Sequence, residues 1–106
     1  MLAALLLALA AAAPAGDAVA RGKALYAANR CSMCHSIAGK GNPKGPHDGV
    51  GSRLSAAELR KWLVDPKEMA RKAKATRKPP MPLYDQLKPA EVDDLVAYLS
   101  TLKSRP

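Results

Sequence analysis

Five consecutive residues, Cys31-Ser32-Met33-Cys34-His35, limit what this chain can become more than any other part of it. They hold both of its cysteines, and a histidine follows the second directly. Three chemistries use such a set. Zinc requires four ligands, and Cys31, Cys34, His35 and His47 would supply them, although the spacing to His47 matches no common finger. A redox disulfide of the Cys-x-x-Cys kind sits beside a βαβ pattern, which is absent here. Covalent haem attachment uses all three residues together. Thiols at i and i+3 lie along one side of a helical turn and add to two vinyl groups of one porphyrin edge, and His35 is placed to bind iron through Nε2.

Composition favours the third chemistry. The chain has 106 residues, no Phe, one Trp and three Tyr. Residues 1–15 are uncharged and rich in Leu and Ala, and Ala13-Pro14-Ala15 gives a small-x-small cleavage pattern, so this segment reads as an export signal. It is shorter than the ~20 apolar residues that span a bilayer. No Lys or Arg precedes its apolar run, so retention as an anchor stays open. The expected protein is therefore exported to a periplasm, with residues 16–106 as one domain. A domain of that size with so few aromatic residues has a thin core, which a porphyrin would complete.

The remaining pattern is all-α. Asp17 is a plausible N-cap for a helix carrying Val19, Gly22, Leu25 and Tyr26 on one face. From Ile37 to Gly51, repeated Gly and Pro predict a long loop. Ser55 and Glu58 match a capping box, with Pro66 as the stop, and Asp65-Pro66-x-Glu68 starts a second short helix. Pro89 opens a last helix with Val92, Leu95, Val96, Leu99 and Leu102 on one face.

A six-coordinate iron needs a second axial ligand, and few residues qualify. Met1 leaves with the signal. Met33 lies between the attached cysteines, and Met69 reads more simply as a filler on a helix. His47 lies only a short loop from His35 and reads as a solvated loop residue. Met81 remains: Pro79, Pro80 and Pro82 restrict the backbone around it, so its sulfur can be presented with little entropy left to lose.

In the segments "GKALY", "CSMCH", "GKGNPKGP", "LSAAELRKWLVDP", "PPMP" and "VDDLVAYL", taken in order, the chain resembles the class I monohaem cytochromes c. The resemblance implies an all-α cytochrome c fold, three to five helices packed around one covalent haem c. It implies that Gly22 and Tyr26 meet the last helix near Tyr98 and Leu99, that the Pro46 carbonyl accepts the Nδ1 proton of His35, and that Trp62 lies against the haem near Met81. His47 departs from the pattern, since an apolar residue is more usual near that position.

With His35 and Met81 as metal ligands and Cys31 and Cys34 as thioethers, the expected role is one-electron transfer in a respiratory or related redox chain, not catalysis. A subunit of a larger dehydrogenase or oxidase complex, or a peroxide-reactive or small-ligand haem protein, stays open as an alternative. The formal net charge is +8. Lys67, Arg71, Lys72, Lys74, Arg77 and Lys78 stand against Glu68 alone in one run. They read either as a solvated face or as a docking surface for acidic redox partners, membrane respiratory complexes among them. Nothing points to nucleic acid, and a monomer is expected.

Overall fold

The computed structural model describes residues 15–104. The expected export segment, Ala15 excepted, lies outside the described residues. Among the described residues the architecture is five helices and one small hairpin: α1 (Ala15–Ala28), a 3₁₀ turn (Cys31–Met33), β1 (Ser36–Ile37), β2 (Lys40–Gly41), α2 (Val50–Arg53), α3 (Ala56–Val64), α4 (Pro66–Ala73) and α5 (Pro89–Ser100). The all-α expectation holds apart from the hairpin.

Local chemistry explains most of the boundaries. Ser55 Oγ accepts from the Glu58 N–H at 3.1 Å while Glu58 accepts from the Ser55 N–H at 3.0 Å, so two orphan donors of α3 are satisfied reciprocally. Asp65 ends that helix and begins the next, its carboxylate accepting from the Glu68 N–H ahead of Pro66 in the first turn. Pro89 likewise sits in the first turn of α5. Asp17 differs from expectation. Helix α1 already includes Ala15, which leaves Asp17 inside the first turn rather than at the cap.

The predicted loop after Ile37 contains the hairpin. Ala38 (φ 51°) and Gly39 (φ 79°) both adopt left-handed conformations, the two-residue turn whose twist suits paired strands. Asp48 holds that turn by accepting from the Ala38 N–H at 3.0 Å. Strands of two residues are too short to show an alternating pattern, so sequence periodicity could not announce them.

Helices α1 and α5 cross closely, as the resemblance implied. A Cβ on Gly22 would overlap the Asp94 carbonyl and Tyr98 Cβ. Tyr26 packs edge-on against Tyr98, with ring centroids 5.7 Å apart. Around this crossing lies the core: Tyr26, Val50, Leu59, Leu63, Val92, Leu95 and Leu99. It is thin, and among the described residues only Leu95, at 1% exposure, is wholly sealed. Replacing Gly22 with Val is expected to destabilise the folded protein by about 3 kcal/mol, the upper end of overpacking costs, because backbone opposes the new side chain. Denaturant unfolding with an unchanged m-value checks this.

Candidate functional site

Beside the core the helices leave a cavity of about 700 Å³, within the ~300–1,000 Å³ range of pockets that bury small organic cofactors. Its wall brings together Cys31, Cys34, His35, Pro46, Trp62 and Met81, residues spread over half the sequence. Tyr26, Leu59, Leu63, Leu95 and Leu99 turn one side of the core toward the same space. The cavity is therefore the missing part of that core.

The 3₁₀ turn presents the attachment residues. The amides of Cys34 and His35 both donate to the Cys31 carbonyl, at 3.1 and 3.0 Å, which winds the segment into a helical turn. Asn42 fastens it from outside. Its N–H is shared between the Ser32 and His35 carbonyls, each at 3.0 Å, and its side-chain amide donates to the Met33 carbonyl at 3.1 Å. Gly41, at φ 109°, is required there, since a Cβ would strike the His35 carbonyl. Met33 itself points to solvent, 63% exposed, as a residue between two attachment points should. Both thiols are free and half-buried, and burial pushes Cys31 up to about 11. Among the described residues, no three of His, Cys, Asp or Glu are grouped to hold a metal ion.

His35 Nδ1 donates to a backbone carbonyl at 3.0 Å, but to that of Gly45 and not of Pro46. The reason is the pairing of the two segments. Ser36 forms a parallel bridge with Pro46, in which the Ser36 N–H donates to the Gly45 carbonyl and the His47 N–H to the Ser36 carbonyl. This turns the Gly45 carbonyl inward, while Pro46 is one of the residues lining the cavity. Gly45 has no room for a side chain, since a Cβ would overlap the Cys34 carbonyl and the Arg77 guanidinium. With its proton held at Nδ1, His35 keeps the Nε2 lone pair for a metal. Burial lowers its pKa, the Gly45 hydrogen bond opposes that shift, and the charge of Arg77 adds to it.

His47 is not the solvated loop residue expected. It is half-buried, its ring is stacked on His35 with centroids 3.7 Å apart and planes 18° from parallel, and its Nδ1 lies 3.2 Å from Tyr26 Oη. Burial, with the charges of His35, Arg53 and Arg77, pushes its pKa down to about 3, against the pull of Asp48. Two imidazoles stacked this closely leave no space for a porphyrin between them, so His47 is not a ligand opposite His35.

Trp62, half-buried on α3, and Met81, in the proline-rich segment, line the cavity together. Met69 lines it too, from α4. Lys44, Arg53, Lys72 and Arg77 also line it, with Glu58 as the only acid among the lining residues. Sequence reading placed Lys72 and Arg77 in a basic run, but it missed Lys44 and Arg53, whose approach depends on the hairpin and α2.

Tyr26, 8% exposed, has its pKa raised above 10, chiefly by burial. Above pH 10 the unfolded chain releases this proton and the folded chain keeps it. The stability it contributes is thus full below pH 10 and falls as pH rises, by up to about 1.4 kcal/mol per unit. Denaturant unfolding of Tyr26→Phe is expected to show a smaller loss of stability between pH 10 and roughly pH 11.5 than the parent chain shows.

A family model described as Cytochrome c matches residues 19–103, which takes in every residue of this site. No curated protein and no solved structure matches the chain.

Proposed function

We propose, from the premise that this chain belongs to the cytochrome c family and carries covalent haem c, that it is a one-electron carrier in which His35 and Met81 would hold the iron. The observation that carries this reading is the single cavity onto which Cys31, Cys34, His35, Trp62 and Met81 converge. When bound, the haem supplies an Fe(III)/Fe(II) couple.

Each residue then has a task. Cys31 and Cys34 tether the porphyrin at the helical turn. His35 would hold the iron through Nε2, its tautomer and basicity set by the Gly45 carbonyl. Met81 contributes a thioether, which favours Fe(II) and raises the potential. Its proline neighbours limit the freedom lost in holding it there. Trp62 and the leucine wall exclude water, and a low-dielectric shell also disfavours the more positive ferric state. With His35 and Met81 both holding the iron, the group would be suited to exchanging electrons rather than to binding oxygen or peroxide.

Lys44, Arg53, Lys72 and Arg77 supply positive charge beside the crevice, suited to steering an acidic redox partner into brief contact. Arg71 is partly neutralised by Glu68, with hydrogen bonds of 2.9 and 2.6 Å, so it contributes less than its place in the basic run suggests. An exported carrier delivering electrons to a membrane respiratory complex fits these features best.

Two measurements test the reading. A potentiometric titration should follow a reversible one-electron curve, and the ferrous protein should resist carbon monoxide. Ready carbon monoxide binding would identify an open iron and overturn the carrier assignment. Stopped-flow transfer to an acidic redox protein is expected to slow steeply as salt rises. A rate independent of ionic strength would remove the docking surface while leaving the ligation intact.

A further inference from the structure

Electron transfer as described gives His47 no task, yet this residue is held from several directions, through its backbone and through its ring. Its N–H donates to the Ser36 carbonyl at 2.8 Å, and its carbonyl accepts from the Val50 N–H at 2.9 Å. Tyr26 Oη bonds Nδ1 at 3.2 Å, and the Tyr26 ring meets the imidazole edge-on, with centroids 5.8 Å apart and planes at 66°. Tyr26 is in turn wedged between α1 and α5 against Tyr98. The face of His47 left over lies on the face of His35. A continuous set of contacts thus runs from the α1–α5 crossing to the proximal imidazole.

His35 needs such a contact. One hydrogen bond at Nδ1 fixes which nitrogen carries the proton, but the terminal torsion of a histidine is broad, and the ring can still rock about it. A flat neighbour parallel to the ring blocks that motion. Resting on the assignment of His35 as an axial ligand, we infer that His47 is a positioning residue: its stacked ring, anchored by Tyr26, fixes the plane of the His35 imidazole above the haem. That plane governs how the unpaired electron of the ferric state is shared among the four pyrroles. It is therefore read directly in the hyperfine-shifted haem-methyl resonances.

The experiment is proton NMR of the ferric holo-protein. His47→Leu, which keeps bulk but removes the flat ring, is expected to change the order of the four methyl resonances or narrow their spread. His47→Phe, which restores a flat ring, is expected to return the parental order. A parental pattern in His47→Leu, or a lowered unfolding midpoint with unmoved methyls, would show that His47 only packs the loop. Should His47→Leu fail to take up haem, Tyr26→Phe leaves the ring but cuts its anchor, and unmoved methyls there overturn the inference equally. The ferrous parental spectrum separates this from the ligation assignment. Without a methionine methyl shifted far upfield by the porphyrin ring current, the axial assignment itself fails. With that methyl present and the haem methyls unmoved in the variants, only the role of His47 falls.

Discussion

Met81→Ala is expected to abolish the weak far-red charge-transfer band of the ferric protein and to open the ferrous iron to carbon monoxide. The band requires thioether sulfur on ferric haem, and alanine supplies no donor. Water or hydroxide taking the vacated position is a harder ligand that favours Fe(III), so the potential should fall by on the order of 100 mV, where 59 mV is tenfold in a one-electron equilibrium. Met69→Ala is the necessary control because Met69 lines the same cavity. It should keep both the band and the resistance to carbon monoxide, losing only up to about 2 kcal/mol of packing. If the two variants exchanged these results, the sulfur would come from α4 and the proline-rich segment would be a wall.

The second large effect is expected from the double substitution Cys31→Ser and Cys34→Ser. Serine hydroxyls do not add to vinyl groups, so haem should no longer stay with the polypeptide on a denaturing gel. The fold should suffer as well. An empty cavity costs roughly 24 cal/mol per Å³. Even if half of the 700 Å³ is discounted as open to solvent, that amounts to about 8 kcal/mol, comparable with the ~5–15 kcal/mol that stabilises a whole domain. The haem-free chain is expected to lose cooperative thermal unfolding while retaining part of its helical circular dichroism. A sharp transition at the parental temperature would show that the crevice collapses at little cost.

The sequence was most readable where one residue type answers one local need. Ser55 with Glu58, Pro66 and Pro89 mark helix ends through their own hydrogen bonds or missing donors, and the structure puts those ends where the residues indicate. The attachment residues were legible for a different reason: few side chains perform that chemistry, and their spacing is set by one helical turn. What escaped reading depended on contacts between segments. The acceptor for His35 shifts from Pro46 to Gly45 because the Ser36–Pro46 bridge decides which carbonyl faces inward. His47 looked like a loop residue because nothing local reveals that Tyr26, twenty-one positions earlier, would meet it. Asp17 misled because a good capping residue is also welcome in a first turn, where its charge suits the helix dipole.

Asn42 has a consequence for the speed of the carrier. Its shared N–H and side-chain amide occupy the carbonyls of Ser32, Met33 and His35. Its own carbonyl and side-chain oxygen are taken by the amides of Gly45 and Lys44. The peptide dipoles nearest the thioether edge are thus committed to one another and have little freedom to swing when the iron gains or loses charge. Movement of such dipoles is what a departing electron must wait for. Where they are already bound, a change of charge at the iron would find few peptide dipoles nearby free to reorient.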